Sequence, residues 1–434
     1  MFKSIEEQKS NLYYDESTGL RNLLGLREDY AGKDLKDTHF IYVDIDDTVS
    51  MGAIFGMIAL EGIYKSIATT LDEYCGHSDV YRIANEHFVI ATNSHIICEP
   101  SELIKILKQP VKRNGSTYIV KATVAVLDSD DFPETAFEDL GRLMRFAIDV
   151  TKKKGLKKLV FIDKKMKDLY EETREIEQHI FKAVRNKEFL PKFQPFVDVF
   201  TNKIIGFETV SRWNLNGKIL KPDKFLEIAE WTGLIYAIEI NMFKETLRFL
   251  RELKDDKTIK LSSRFKASIN FSAYTLTHLK VNKLREILRE YKLKTSDIII
   301  EIKEYYITDP DAYKMVEQLH YAGFLIALDE YTNTSSSLTY LADLKVDILK
   351  LSECLLDKID SNQEYTKMFN VYKFMCDIGK KFDLTIVSSG ISNSDHVKLV
   401  KSLSINIGSG KLFSRAVFKE DFIGLFQTIR PKRG

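Results

Sequence analysis

Short apolar runs alternate with amphipathic stretches along most of the chain. The runs have the length of buried strands, and the stretches between them repeat apolar residues at helical spacing. Runs typical of strands are FIYVDID (40–46), HFVIAT (87–92), YIVKATVAVL (118–127), FKASINFS (265–272), DIIIEI (297–302), FLIALDE (324–330) and DLTIVSSG (383–390). The clearest helical stretches are 221–253, 278–292 and 310–321. This alternation predicts an α/β fold built from βαβ units with largely parallel sheets.

A charged segment divides the chain. Residues 150–187 contain no proline and one glycine, and the pattern predicts a helix from about Asp163 onward. We therefore predict a first domain at 1–165, a connecting helix at 166–187 and a second domain at 188–434. The second domain has the size of a (β/α)8-type barrel, which takes about 250 residues.

Composition narrows the classes of function. The chain has 434 residues, 64 of them Lys or Arg and 63 Asp or Glu, for a net charge of +1. A balanced surface has no general attraction for nucleic acid or anionic lipid. No apolar stretch reaches the roughly 20 residues needed to span a bilayer. We expect a soluble, cytoplasmic protein that binds neither nucleic acid nor membrane.

Polar residues end successive predicted strands of the second domain. In a barrel of this type, chemistry takes place at the carboxyl ends of the strands. The residues at these ends are Glu208, Asn270, Glu301, Asp329 and Lys350. Carboxylate and amide oxygens are the ligands that Mg²⁺ and Mn²⁺ prefer. The pattern predicts a metal site, and the alternative is a set of unrelated polar residues that terminate strands.

Segments across 188–425 resemble the EAL family of cyclic-di-GMP phosphodiesterases. FQPFVD (193–198), GFETVSRW (206–213), SINFS (268–272), EIKE (301–304) and LKVDILKLS (344–352) resemble the family's YQPIVD, GxEALxRW, NxS, EITE and LPVDxLKID motifs. DEYTNTSSSL (329–338), SSGIS (388–392) and SGKLFSRA (409–416) stand where the family has DDFGTGYSSL, AEGVE and QGYLFSRP. The resemblance implies a barrel fold, a divalent metal and cyclic-di-GMP as ligand.

The resemblance also implies roles for single residues. Lys350 would hold the attacking water or a phosphate, Arg212 would pair with a phosphate, and Gln194 would touch a guanine edge. The implied metal ligands are Glu208, Asn270, Glu301, Asp329 and Glu330. The implied cyclic-di-GMP-binding residues are Gln194, Glu208, Val210, Arg212, Asp329 and Gly410.

The implied catalytic machinery is incomplete. Ser389 stands where the family has its proposed general base, and Ser392 replaces the second Glu of that motif. The loop Thr332-Asn333-Thr334-Ser335 lacks the two glycines of the family's GTGY. General-base catalysis contributes about 10²–10⁴-fold. We therefore predict a pseudo-enzyme with little or no phosphodiesterase activity, in which Lys350 is left as a remnant of the site.

The first domain resembles GGDEF domains, which are nucleotide-cyclase-type α/β domains. DESTGLRN (15–22), FIYVDIDD (40–47) and YRIANEHFVIA (81–91) resemble the DxLTGLxNR, DIDxFK and RYGGDEF motifs. The remnants of the cyclase site are Asp44, Ala84, Asn85, Glu86 and His87. Asp44 is the candidate metal ligand; the alternative is that it caps a strand end with Asp46 and Asp47. We predict a degenerate domain without cyclase activity.

Three functions stay open at this point. The first is a catalytically inactive cyclic-di-GMP receptor in bacterial second-messenger signalling, with an unidentified protein partner. The second is a protein-interaction adaptor that binds no nucleotide. The third is a slow phosphodiesterase in which Glu330 or Glu304 replaces the lost base. Family analogy also suggests a homodimer.

Overall fold

The chain forms two units, Met1–Glu175 and Ile176–Gly434. The computed structural model describes residues 12–75, 79–93, 99–108, 111–113, 116–155, 158–304, 306, 309–331, 344–359 and 367–428. One helix, Lys164–Asn186, begins in the first unit and ends in the second. Its residues Ile176, Ile180 and Ala183 belong to the core of the second unit.

A six-stranded sheet forms the centre of the first unit. Its strands are β1 (Arg21–Asn22), β2 (Thr38–Ile45), β3 (Asp79–Arg82), β4 (His87–Asn93), β7 (Ala122–Asp128) and β8 (Leu159–Phe161). They lie in the order β1-β3-β4-β2-β7-β8. A separate pair consists of β5 (Val111–Arg113) and β6 (Ser116–Tyr118).

The prediction of a largely parallel sheet is wrong for this unit. Strand β2 pairs antiparallel with β4 and β7, and β3 pairs antiparallel with β4. For β3 and β4 the reason lies in the connection between them, residues 83–86, which is a short hairpin. A parallel pair needs a crossover of a dozen or more residues, so this connection dictates antiparallel pairing.

Helices cover both faces of this sheet. They are α1 (Leu23–Tyr30), α2 (Thr48–Phe55), α3 (Met57–Tyr74), α4 (Pro100–Leu107), α5 (Phe137–Lys154) and α6 (Lys164–Asn186). Alternate residues of β2 point to opposite faces. Ile41 and Val43 therefore pack in the core that includes α3, and Phe40 and Tyr42 pack in the core that includes α5.

The second unit is a closed barrel. Its strands are β9 (Phe189–Asp198), β10 (Lys203–Leu215), β12 (Lys266–Asn270), β13 (Ile298–Lys303), β14 (Leu325–Tyr331), β15 (Ile348–Leu351), β16 (Thr385–Ser388) and β17 (Ile407–Gly408). Pairing of β9 with both β10 and β17 closes the barrel, and β11 (Lys218–Leu220) extends β10 as a hairpin. The predicted barrel is thereby confirmed.

One strand departs from a fully parallel barrel. Strand β9 is antiparallel to both of its neighbours, while β10 and β12 to β17 pair in parallel. Residues 199–202 alone connect β9 to β10, and Asn202 has the positive φ of 55° typical of a tight turn. A connection this short allows only a hairpin.

Helices surround the barrel. They are α7 (Pro222–Trp231), α8 (Ile235–Asp255), α9 (Ala273–His278), α10 (Val281–Glu290), α11 (Pro310–Tyr321), α12 (Glu353–Leu356), α13 (Lys367–Lys381), α14 (Ser394–Ser402) and α15 (Lys419–Thr428). The predicted helical stretch 221–253 forms two helices, because the chain turns at Gly233 with φ 73°. Within the described residues, no helix is both long enough and apolar enough to cross a bilayer.

Candidate functional site

Three carboxylates meet at the carboxyl ends of the barrel strands. Glu208 on β10, Glu301 on β13 and Asp329 on β14 place ligand oxygens within 4.8 Å of one another. A β-bulge between Ile204 and Gly206 shifts the register of β10 against β9. Such a bulge re-aims the following side chains, and here it directs Glu208 into the barrel while Phe207 packs in the outer core. The structure thus brings three of the predicted metal ligands together.

The ammonium group of Lys350 lies among these carboxylates. Its Nζ is 2.6 Å from Glu301, 3.1 Å from Glu208 and 3.3 Å from Asp329. Burial disfavours the charge on Lys350, but attraction by the three carboxylates outweighs burial and raises its pKa well above the ordinary value. Burial, followed by repulsion from Glu208, raises the pKa of Glu301. The cluster therefore contains its own internal cation.

Two more polar side chains complete the cluster. The Asn270 side-chain amide donates a hydrogen bond to Glu208 at 3.0 Å, and the buried Ser268 hydroxyl donates to Glu301 at 2.5 Å. Sequence reasoning missed Ser268. The signal was present, because Ser268 precedes Asn270 by two residues on one strand and the two side chains must share a face.

Glu330 lies outside the group of three carboxylates. It has a positive φ of 53°, and its carboxylate is 3.3 Å from Nζ of Lys303. The pairing of β14 with β15 is irregular between Leu328 and Tyr331. The carboxylate of Glu330 thus pairs with Lys303, while that of Asp329 joins Glu208 and Glu301. The following loop, Thr332-Asn333-Thr334-Ser335, lies outside the described residues.

Ser389, the position of the implied general base, directly follows β16. Its backbone amide donates to the carbonyl of Leu351 at 3.3 Å. The hydroxyl of the preceding Ser388 is buried and accepts a hydrogen bond from Tyr372 at 2.8 Å. A serine hydroxyl does not ionise near neutral pH, so Ser389 has no proton-accepting group comparable to a carboxylate.

The chain after Ser389 is tightly held. Gly390 has a φ of 79°, and a Cβ there would lie 2.4 Å from Cγ of Glu353. Gly410, a predicted nucleotide-binding residue, has a φ of 152°, and a Cβ there would lie 2.2 Å from the carbonyl oxygen of Ile391. Both positions therefore require glycine, because neither has space for a side chain.

The predicted nucleotide-binding residues Gln194, Val210 and Arg212 lie on the antiparallel pair β9 and β10. Gln194 is directly opposite Glu208, while Val210 and Arg212 continue β10 beyond the carboxylates. Arg212 is half-buried and donates to the carbonyl of Ser211 at 2.8 Å. Burial lowers its pKa, but an arginine stays charged at neutral pH. Within the described residues, Arg212 forms no ion pair with a carboxylate.

A second ionic cluster occupies the first unit. Nζ of Lys152 is 2.7 Å from Asp44 and 3.0 Å from Asp46, and Nζ of Lys158 is 2.8 Å from Asp46. Burial would raise the pKa of Asp46, but hydrogen bonds from Lys158 and Lys152 hold it below the ordinary value. His87 lies opposite Asp44 in the sheet, with Nε2 3.4 Å from its Oδ2. Asp44 and Asp46 therefore belong to one network of ion pairs.

The remaining predicted cyclase residues form the hairpin between β3 and β4. Ala84 and Asn85 are exposed at its tip, and Glu86 is 3.8 Å from His87. Beneath the hairpin, the buried Arg82 contacts Asp15 at 3.0 Å and Glu61 at 3.1 Å. Sequence reasoning did not identify this arginine as a link between the DESTGLRN motif and the hairpin.

Fold and site together define a barrel protein with an acidic cluster at the carboxyl ends of its strands. Residues 177–416, more than half of the chain, match the EAL domain family. The chain therefore belongs to the EAL family of cyclic-di-GMP signalling proteins, and the predicted resemblance of the second domain is confirmed. EAL domains use divalent metal ions, in agreement with the chemistry of the cluster.

A curated relative agrees with this assignment. The probable cyclic di-GMP phosphodiesterase PdeB of Escherichia coli (strain K12) is 30% identical over 246 residues, which are 56% of this chain and 45% of that protein. The chain spans about half the length of the curated relatives it matches.

Two solved structures share the fold. The PaMucR phosphodiesterase in its c-di-GMP complex has a TM-score of 0.52 at 24% identity, and the match covers 57% of this chain and 99% of that one. The Vibrio cholerae LapD S helix-GGDEF-EAL structure, bound to c-di-GMP, has a TM-score of 0.58 at 14% identity over 94% of this chain and 97% of that one. The GGDEF-like first domain, the cytoplasmic location, the homodimer and the protein partner stay predictions.

Proposed function

We propose that this chain is a non-catalytic receptor for cyclic-di-GMP and that its EAL barrel binds the dinucleotide. The observation that carries the proposal is a serine at position 389 beside an otherwise assembled set of strand-end residues. Binding depends on charge complementarity and hydrogen bonds, which the assembled residues supply. Hydrolysis also needs a group that removes a proton from water, and Ser389 does not supply it.

The acidic cluster suits a hard divalent cation. Glu208, Glu301 and Asp329, with the amide of Asn270, would hold Mg²⁺ or Mn²⁺ through oxygen atoms. When bound, the ion would neutralise phosphate charge. It would share the carboxylates with the ammonium of Lys350, which contacts all three.

Arg212 supports nucleotide binding most directly. Its guanidinium is half-buried and charged, and its hydrogen bond goes to a backbone carbonyl and not to a carboxylate. A phosphate oxygen would give this cation a charge-assisted partner. Gln194 and Val210 lie on the same pair of strands and would contact the dinucleotide beside the metal site.

The first unit is proposed to be a GGDEF-like domain without cyclase activity. The fold likeness to the LapD structure, which extends over 94% of this chain, supports this proposal. Asp44 and Asp46 are paired with Lys152 and Lys158, so a metal ion would compete with two internal ammonium groups. Side chains at Ala84 and Asn85 also occupy the hairpin that glycines form in the family.

Titration calorimetry tests the receptor proposal. The full chain is titrated with cyclic-di-GMP in the presence of Mg²⁺, and Arg212→Ala is expected to weaken binding by at least tenfold, because a charge-assisted hydrogen bond contributes about 1.5–3 kcal/mol. Arg251→Ala is the matched control, because Arg251 pairs with Asp255 on an exposed helix face. Absence of binding by the folded wild-type protein would reject the receptor and favour the adaptor.

A slow phosphodiesterase is the second candidate. The assembled carboxylates and Lys350 favour it, as does the naming of PdeB as a probable phosphodiesterase. Glu304, which is 6% exposed, and Glu330 are the carboxylates that would have to replace the base. Formation of linear pGpG at a rate that Glu208→Ala abolishes would support this candidate over the receptor.

A further inference from the structure

The barrel has a cavity at the end opposite the carboxylate cluster. Its volume is about 690 Å³, within the range of roughly 300–1,000 Å³ that small-molecule sites occupy. The lining comes from all eight barrel strands, chiefly from the amino-terminal ends of the seven parallel ones. The barrel therefore has two openings, and the proposed nucleotide site uses only one of them.

The wall of the cavity is apolar. Its side chains form a cluster of their own inside the barrel, made of Phe196, Ile299, Ala327, Ile348 and Val387. Leu325 and Ile407 pack against this cluster and stay partly exposed at the opening. Layers of large side chains usually fill such a barrel completely. Here the small side chain of Ala327 helps to leave the space open.

The rim of the cavity carries an excess of positive charge. Its cations are Lys203, Arg264, Lys266 and Lys380, and its anions are Asp198 and Asp347. The two carboxylates are already engaged: Asp198 accepts hydrogen bonds from the backbone amides of residues 200 and 201, and Asp347 accepts one from the amide of Ile326. Lys203 and Arg264 are exposed at the opening. An anion at the rim would therefore meet net attraction.

The inner end of the cavity carries no excess of positive charge. Glu301 and Lys350 contribute to the lining there as an ion pair with side chains 2.6 Å apart, and Lys350 also contacts Glu208 and Asp329. A ligand would thus find an apolar wall, an ion-paired floor and a positive rim. This distribution selects an amphipathic anion whose charged group stays at the opening.

The shape of the cavity restricts the apolar part of the ligand. On β13 the lining extends from Ile299 to Glu301, and two strand residues span roughly 7 Å. Because residues from every barrel strand contribute, the cavity extends across the full width of the barrel, and we call it the bowl. A ring system fills such a bowl better than one extended alkyl chain.

We propose that this bowl binds an apolar monoanion of about the size of a two-ring aromatic carboxylate. The rings would contact Phe196, Ile299 and Val387, and the carboxylate would lie near Lys203 and Arg264. This site opens at the other end of the barrel from the proposed nucleotide site, reaches Glu301 and Lys350 of the carboxylate cluster only at its inner end, and does not depend on the residue at 389.

The first test compares three probes that share one ring system. Naphthalene-2-carboxylate, naphthalene-2-methanol and naphthalene-2-methylammonium are titrated into the full chain by calorimetry. The carboxylate is expected to bind at least tenfold more tightly than the alcohol, and the ammonium compound more weakly than either. Equal affinity for all three probes, or no binding of the carboxylate, would overturn the proposal.

The second test uses two substitutions with different expected effects. Lys203→Glu changes an exposed rim residue and should weaken carboxylate binding about tenfold while leaving alcohol binding unchanged. Ala327→Leu fills the bowl and should weaken binding of both. Lys314→Glu, at an exposed position on α11, is the matched charge control. Arg212→Ala should leave binding of naphthalene-2-carboxylate unchanged. If Lys203→Glu had no effect in a folded protein, the rim would not bind the anion, and the proposal would fail even without a folded Ala327→Leu variant.

Discussion

At the scale of the residue, one side chain separates binding from catalysis in the proposed function. Ser389 lies beside an assembled cluster of three carboxylates and a lysine, yet its hydroxyl does not take a proton from water at neutral pH. The three carboxylates and Lys350, which form the described part of the cluster, are compatible with binding a metal ion and a phosphate. Under the receptor proposal, the loss of catalysis is therefore confined to position 389.

A carboxylate introduced at position 389 tests whether the loss of catalysis is confined to that position. Ser389→Glu is expected to raise the rate of cyclic-di-GMP hydrolysis by about 10²–10⁴-fold, the contribution of a general base. The rate of pGpG formation with Mn²⁺ is the measurement. Ser394→Glu, at an exposed helix start, introduces the same side chain as a control. An unchanged rate in folded Ser389→Glu would show that the missing base is not what limits activity.

A second residue has a consequence for stability. Glu239 on α8 is buried, and its carboxyl accepts hydrogen bonds from the backbone amide and hydroxyl of Ser272 at 3.0–3.1 Å. Burial raises the pKa of Glu239 to about 8 from an ordinary value of 4.5. The folded protein therefore keeps this proton at pH values where the unfolded chain has released it.

This pKa shift makes stability depend on pH. Between pH 4.5 and 8, the folded state holds the proton more tightly than the unfolded state, so stability falls as pH rises, by up to about 1.4 kcal/mol per pH unit. Glu239→Gln removes the titration, and its stability relative to wild type should rise from pH 5 to pH 8. Urea unfolding at four pH values measures this, with exposed Glu290→Gln as control. A constant difference would contradict the raised pKa.

At the scale of the element, the segments that follow the strands hold the site in position. Gly390 connects β16 to α14, and its backbone passes so close to α12 that a Cβ would lie 2.4 Å from Cγ and 2.9 Å from Cα of Glu353. The Cα of Glu353 is a backbone atom, and it cannot move aside as the end of a flexible side chain can. The close approach places Ser389 next to the end of β15.

Gly390→Ala should therefore destabilise the second unit. The φ of 79° and the overlap with Glu353 together should lower the free energy of unfolding by about 1–3 kcal/mol, and urea denaturation measures it. Gly424→Ala on α15 is the matched control, because its Cβ meets nothing within 4 Å and should stabilise the helix by about 0.5–1 kcal/mol. Equal effects of the two substitutions would disprove the strain argument.

Pairing of strands also depends on the connections between them. The apolar runs predicted several of the strands of both units, but alternation of strands and helices predicted largely parallel pairing. Two short connections, 83–86 and 199–202, instead produce antiparallel pairs. Connection length thus decided the direction of pairing, and it was readable from the sequence only once the strand ends were known.

At the scale of the whole molecule, the described part of each unit contains a network of buried charge built around lysine. The network around Asp44 and Lys152 belongs to the first unit, and the network around Glu301 and Lys350 belongs to the second. In each, lysine ammonium groups pair with carboxylates that the resemblance assigned to a metal. A metal ion would have to compete with an internal cation in both units.

The barrel itself has ends of different chemistry. Acidic and amide residues occupy the carboxyl ends of the strands, while aliphatic residues and a positive rim form the opposite end. Inward-facing positions alternate along each strand, so one strand supplies both ends: on β14, Leu325 and Ala327 line the bowl and Asp329 joins the carboxylates. The two ligands proposed for this barrel would therefore bind at ends of different chemistry.

The sequence by itself determined the longest strand runs, the clearest helical stretches and the order of polar residues at the strand ends, because these depend on local periodicity and on motifs. Through the family resemblance it also predicts that Ser389 stands at the position of the general base. The tertiary structure decided the rest. Lys350 proved to be the cation of the carboxylate cluster, Glu330 proved to lie outside it, and Lys152 paired with Asp44. These outcomes depend on contacts between residues far apart in the chain and on the direction in which each side chain points, which hydrophobic patterning does not specify.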